Sequence, residues 1–302
     1  MSSQKSTIDR FINATRSTAV RAAFGTLERF APGLGVRWAT NLWLTIPRFN
    51  GRARSAVPPG TPFTTTWRNR RIRGTAWGAG PVVYLVHGWG GASAQLLPFV
   101  GPLVASGHRV VTFDAPSHGA SDPGELGPRR TTIPEMARSL TAVVREHGQP
   151  HAVIAHSAGA SSTFHALRDG LRPARLAFLA PMAQPDELTM VFAATLGFGE
   201  RIRTGMARRV GEIAGTPWED FDMPRMVTRI APPPLLTIHD PADRETRYAD
   251  SVALAKTWPD AELVTAEGLG HWRLLRDPAT VARAVEFVTA PVDERKARYR
   301  AS

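Results

Sequence analysis

The sequence predicts an α/β domain built on a doubly wound, mainly parallel β-sheet with helices on both faces. Three observations carry that expectation. From residue 81 onward, short β-branched and apolar runs alternate with helical stretches, which is the rhythm of βαβ units. The composition, 43% hydrophobic and 21% charged over 302 residues, is that of a globular chain long enough to bury a large core. Groups able to do chemistry also follow several of the strand-like runs, and in an open α/β sheet the working residues sit in loops at the carboxyl ends of strands.

Taken in order, residues 1–60 read as a basic helical segment and loop. Val20, Phe24 and Leu27 recur at i, i+4 and i+7, with Arg16, Arg21 and Arg29 off that face. Pro32 and Gly33 interrupt it, and "VRWATNLWLTI" (36–46) follows as a second apolar segment ending at Pro47. "GRARSAVPPG" (51–60) is a loop by composition, and "TPFTTTW" and "RIRGTAW" form a candidate hairpin. "PVVYLV", "RVVTFD", "HAVIA", "ARLAFLA", "PLLTIH" and "AELVTAE" then read as strands. Helices are expected over 92–106, 134–147, 158–169 and 246–257. The interval 182–230 holds no strand-like run and reads as two or three helices, an insertion suited to capping the sheet edge. The core domain is therefore 61–181 and 231–290, with a cap at 182–230 and a tail at 291–302.

The net charge of +11 is concentrated in one quarter of the chain. Residues 1–80 hold 13 Lys/Arg against only Asp9 and Glu28, while residues 81–302 are balanced. Codon bias toward arginine explains this, and so does an anionic partner such as a membrane surface touched by residues 1–50. The arginines are scattered, and no zinc-finger spacing, RNP-like strand or base-reading basic helix is present, so no nucleic-acid partner is expected. An amphipathic segment with Trp38 and Trp43 suits either a membrane interface or packing on its own domain. Charged residues Asp9, Arg10, Arg16 and Arg21 break any candidate signal sequence, and no apolar run of about 18 residues exists to span a bilayer. With no cysteine there is no disulfide framework, thiolate metal site or cysteine nucleophile, which suits a cytoplasmic location.

After "PVVYLV" come His87, Gly88 and Trp89; after "HAVIA" come His156, Ser157, Ala158 and Gly159. After "PLLTIH" come Asp240 and Asp243, and after "AELVTAE" comes "GLGH", ending at His271. A serine, an acid and a histidine thus arise at strand ends in that order. Ser157 reads alternatively as a helix N-cap, although a cap explains neither Gly159 nor the other motifs. No clustered metal-ligand spacing, dinucleotide fingerprint or P-loop is found, so neither metal nor cofactor is expected.

Taken together, "HGWGG", "AHSAG", "HDPAD" and "GLGH" resemble the α/β-hydrolase family over roughly residues 61–290, and most closely bacterial serine hydrolases of esterase or lipase type with a small helical cap. The resemblance implies a Ser157–His271–Asp243 triad, with Asp240 as the alternative acid, and an oxyanion hole from the Trp89 and Ala158 backbone N–H groups. His87, Gly88 and Gly159 support the motifs. One departure stands out: Ala155 occupies the position two before the serine, where the family has glycine. His118 and His239 read as loop-structuring residues; His156 is a candidate pocket-lining residue, and Met190, Val191, Phe192, Leu196 and Phe198 of the cap offer an apolar roof over the pocket. The expected activity is cleavage of carboxylic esters of small to medium acyl chain through an acyl-enzyme. Thioester, lactone, amide or acyl-transfer chemistry on the same triad, and a catalytically silent binding module, are the alternatives.

Overall fold

The computed structural model describes residues 18–47 and 57–291. The remaining parts of the sequence segments 1–60 and 291–302 lie outside the described residues. Among the described residues, eight strands form one sheet in the order β1-β2-β4-β3-β5-β6-β7-β8. These are β1 (Thr61–Trp67), β2 (Arg70–Trp77), β3 (Val82–Val86), β4 (Arg109–Phe113), β5 (Pro150–His156), β6 (Arg175–Leu179), β7 (Leu235–His239) and β8 (Ala261–Thr265). β1, β2 and β4 pair antiparallel, and all later pairings are parallel. The first hairpin closes through Arg68 and Asn69, both at positive φ, as a two-residue turn matching strand twist requires.

Every residue of β3 is buried, because helices cover both faces of the sheet. On one face α4 (Ile133–His147), α5 (Ala158–Arg168) and α9 (Tyr248–Thr257) pack against Tyr84, Val153 and Phe178. On the other, α3 (Val100–Ala105) and α11 (Pro278–Thr289) pack against Val83, Leu85 and Ile154. The helix expected over 92–106 is split into a 3-10 stretch, Ser93–Phe99, followed by α3. Pro98 lacks the N–H that a continuous α-helix needs there. α11 was not anticipated, although Val281, Ala284, Val285 and Val288 carry its apolar stripe in plain view.

Between β6 and β7 lie α6 (Pro185–Leu196), α7 (Glu200–Ala214), a 3-10 turn at Trp218–Phe221 and the short α8 (Met223–Met226). This helical insertion does not stand alone. The N-terminal helices α1 (Thr18–Phe30) and α2 (Pro32–Trp43) share an apolar core with it, in which Phe24, Ala39 and Leu44 meet Leu196, Phe198, Ile202 and Met206. Trp38, whose amphipathic setting suited a membrane interface in sequence, stacks on Phe24 at 4.2 Å between ring centres.

Charge reinforces this packing. The Glu28 carboxylate of α1 accepts hydrogen bonds from the Gly199, Arg201 and Ile202 N–H groups, at 3.0, 2.9 and 3.2 Å, where α7 begins. Arg21 donates to the Ala194 and Thr195 carbonyls at the end of α6, at 2.7 and 2.8 Å. An anion at a helix start and a cation at a helix end both satisfy orphan backbone groups and oppose the macrodipole. Glu28→Ala is expected to lower stability by about 1 kcal/mol, read as a lower urea midpoint with unchanged slope.

Candidate active site

Ser157 sits where β5 turns sharply into α5, at φ 54° and ψ −123°. A non-glycine residue at positive φ is strained, and the strain persists only where surrounding structure holds it. Here the Ser157 N–H donates to the Leu179 carbonyl and its own carbonyl accepts from Ala160 N–H, both at 3.0 Å. The turn also brings backbones close together. A Cβ on Gly159 would lie 2.5 Å from the Val86 oxygen, and one on Gly88 would lie 2.8 Å from Ser157 Cβ. Those two glycines are therefore steric requirements. Ala155 is different: its methyl points into the hydrophobic core, where it is fully buried among apolar neighbours. This chain consequently needs no glycine two before the serine.

His271 enters from the loop after β8, at the start of the short helix α10 (Gly270–Arg273). Its Nδ1 lies 2.7 Å from Asp243 Oδ2, and both side chains are almost wholly buried. Asp243 Oδ1 accepts from the Glu245 and Thr246 N–H groups at 2.7 and 3.2 Å. Burial alone would raise the Asp243 pKa, but hydrogen bonds from His239 and His271 and the His271 charge hold it well below the ordinary carboxylate range. Burial likewise opposes the imidazolium of His271, yet the Asp243 hydrogen bond and charge, with Glu245 nearby, raise its pKa above 6.5.

Asp240 is directed elsewhere. Its Oδ1 accepts from Ala242 N–H at 2.8 Å, an Asx turn, and its Oδ2 accepts from the Gly270 N–H immediately before His271. Asp240 thus anchors the backbone of the histidine loop, whereas Asp243 meets the imidazole. Sequence reasoning underestimated His239. Its Nε2 lies 3.3 Å from Asp243 Oδ2, while its Nδ1 is 2.7 Å from Ser251 Oγ. Thr246 went unnoticed altogether; its hydroxyl touches Asp243 Oδ2 at 3.1 Å and His271 Nδ1 at 3.2 Å. The nearest sequence signal is the place of His239 as the first residue of "HDPAD" and of Thr246 three residues beyond that motif.

The other histidines hold loops. His87 Nε2 accepts from Ala115 N–H at 2.9 Å, and Nδ1 donates to Gly88 O at 2.8 Å. His118 accepts from Gly90 N–H at 3.1 Å through Nε2 and bonds Pro116 O through Nδ1 at 2.9 Å. A ring nitrogen that accepts an N–H carries no proton, so both rings are neutral. Burial, aided in His118 by the nearby His87, lowers both pKa values, that of His118 to about 3. His156 donates from Nε2 to the His271 carbonyl at 3.0 Å and lies beside the His271 ring rather than along the pocket wall.

Ser157, Ala158, Trp89 and His271 all border one apolar cavity of about 210 Å³. Among the described residues, no backbone carbonyl accepts the Trp89 or Ala158 N–H. Of the expected roof residues, Phe192, Val191 and Leu196 line the cavity. Met190 is 46% exposed on the outer side of α6, and Phe198 is buried against Phe24 and Phe192 in the helical layer behind. Among the described residues there is no group of three or more His, Asp or Glu side chains able to hold a metal, and no helix is long and apolar enough to cross a membrane.

A serine on a strand-to-helix elbow, followed in the chain by a strand-end acid and a histidine over a mostly parallel eight-stranded sheet, defines the α/β-hydrolase class. The chain belongs to the alpha/beta hydrolase family, whose model matches residues 83–284. A comparison with curated proteins finds no match. Among solved structures, Est816, an N-acyl homoserine lactone degrading enzyme, is similar with a TM-score of 0.57 at 16% identity, over 72% of this chain and 96% of its own. Est1E from Butyrivibrio proteoclasticus, solved with ferulic acid, is similar with a TM-score of 0.53 at 19% identity, over 80% of this chain and 100% of its own. The thioesterase domain from the curacin biosynthetic pathway is similar with a TM-score of 0.56 at 16% identity, over 76% and 99%. At these identities the likeness is one of fold.

Proposed function

We propose that the protein is a serine hydrolase that cleaves carboxylic esters of small to medium acyl chain. The observation that carries this reading is the buried His271 Nδ1–Asp243 Oδ2 pair beside the same apolar cavity that strained Ser157 borders. Ser157 Oγ attacks the ester carbonyl carbon while His271 Nε2 takes its proton. The carbonyl π electrons move to oxygen, and the Trp89 and Ala158 N–H groups stabilise that oxyanion. Collapse of the tetrahedral intermediate breaks the carbon–alkoxide bond, and His271 returns the proton to the departing alcohol. Water then attacks the acyl-serine by the same route and releases the acid. Asp243 keeps the proton on Nδ1 and stabilises the imidazolium.

The cavity supports the substrate side of the reading. Its walls are overwhelmingly aliphatic and aromatic, with Trp89, Ile133, Met182, Leu188 and Phe221 among them, so an apolar acyl group is desolvated at little cost. The test is turnover of an ester panel together with labelling by a fluorophosphonate located by mass spectrometry. Label on Ser157 and ester turnover are expected; an unlabelled, inactive protein overturns the proposal.

A pH prediction follows from the histidine. As base, His271 works only when neutral, so kcat/KM falls as pH drops through its pKa. Because that pKa is raised, the acidic limb is expected to have its midpoint above 6.5, read from kcat/KM between about pH 5 and 9. A midpoint below the ordinary imidazole value contradicts the assignment.

A further inference from the structure

The family match begins at Val83, so α1, α2 and the segment after them lie outside it. Yet the described part of that segment reaches the candidate site. Leu42, Trp43, Leu44 and Thr45 all border the cavity that Ser157 borders. The Trp43 ring stands edge-on to Phe192 of α6 at 5.3 Å and to Trp218 at 6.2 Å, so the wall is made jointly by the N-terminal segment and the insertion. The same segment is tied to the core. Ile46 N–H donates to Arg129 O at 2.8 Å, Arg129 Nε donates back to Ile46 O at 3.2 Å, and Arg130 bonds Asn41 Oδ1 at 3.0 Å. The Trp89 indole N–H donates to the Thr45 carbonyl at 3.3 Å.

We propose that this N-terminal segment is a strap across the site, and that Trp43 sets the length of acyl chain admitted. The inference rests on the serine-hydrolase reading and adds the element that decides which substrate is accepted. An apolar chain attached at Ser157 runs between the strap and α6, and the Trp43 ring occupies the space that further methylenes need. Bonding of Trp89 to Thr45 couples the strap to the loop whose backbone N–H serves the oxyanion, so the strap also holds that loop in place. The hydrolase core lines other parts of the cavity, through Trp89, Ile133 and Ala158 among others.

The absence of cysteine makes a direct test simple, since a single introduced thiol is unique in the chain. In Trp43→Cys, Ser157 is first converted to its methyl-, butyl- or octylphosphonate with the corresponding fluorophosphonate, and modification is verified by intact mass. Reaction of the thiol with a maleimide is then timed. The octyl adduct is expected to slow the reaction about tenfold or more relative to the methyl adduct, because it covers the position. Separately, Trp43→Ala is expected to raise kcat/KM for octanoyl over butyryl esters by about tenfold, the discrimination a few methylenes command in an apolar pocket.

Leu42→Cys repeats the protection experiment if Trp43→Cys fails to fold. Equal maleimide rates for all adducts, or an unchanged chain-length profile in Trp43→Ala, overturn the strap and leave the hydrolase reading intact. A protein that no fluorophosphonate modifies overturns the hydrolase reading, and the strap's role in selectivity falls with it.

Discussion

Ser157→Ala is expected to lower kcat on an activated ester by at least about 10⁴-fold while KM changes little. The alanine methyl fits where the serine stands, because the elbow's geometry is set by backbone bonds to Leu179 and Ala160 and by the close approach of Gly88 and Gly159. Substrate binding depends on the apolar walls, which the substitution leaves in place. Under the proposed mechanism the oxygen that forms the acyl bond disappears, so the loss falls on kcat. Residual rate above that in buffer reflects the oxyanion donors and positioning alone. Steady-state kinetics on a p-nitrophenyl ester, with circular dichroism to verify folding, decide the matter. Activity within tenfold of the unsubstituted protein removes Ser157 from the mechanism and with it the acyl-enzyme.

The second large effect separates two carboxylates three residues apart. Asp243→Asn is expected to reduce kcat by about 10⁴-fold, whereas Asp240→Asn is expected to cost less than about tenfold. The reason lies in what each group touches. Asp243 receives Nδ1 of His271 and Nε2 of His239 on one oxygen, so its negative charge is what stabilises a buried imidazolium. Without that charge, burial dominates and the pKa of His271 falls, moving the acidic limb of any residual activity downward. The amide also offers N–H groups where two imidazoles need an acceptor. Asp240 instead accepts backbone N–H groups from Ala242 and Gly270, and its amide retains one acceptor oxygen. Its loss loosens the histidine loop and shows chiefly as a lower unfolding midpoint. The opposite ranking of the two variants exchanges their roles.

The sheet was legible because its signals are short-range. A buried parallel strand is a run of β-branched and apolar residues, and "PVVYLV" or "HAVIA" announces one without reference to anything distant. The same holds for α5, whose start is marked by the serine and glycine, and for the helices between β6 and β7, which lack any strand-like run. Chain order added the rest of the resemblance, since a family's topology brings strand-end residues to one rim of the sheet. The unexpected Ala155 was harmless for a reason that only burial reveals: its methyl fills core space.

Other features depended on contacts between residues far apart in sequence. Glu28 and Arg21 read as members of a scattered, basic N-terminal segment. Their meaning lies more than 170 positions away, at the ends of α7 and α6. In sequence Trp43 suits a protein interior better than a lipid interface, but only the fold shows which residues its ring meets, Phe192 and Trp218. His239 resembled a loop residue, and its contact with Asp243 depends on how β7 delivers both groups to one point. By itself, then, the sequence determined the parallel α/β architecture, the order of serine, acid and histidine, and the helical character of both the N-terminal segment and the insertion. These follow from local periodicity and steric preference. Tertiary structure alone decided which carboxylate meets His271, which histidine shares it, and that the N-terminal segment and the insertion jointly wall the cavity. Those outcomes are set by side-chain packing and hydrogen bonding across long sequence separations, which no local pattern encodes.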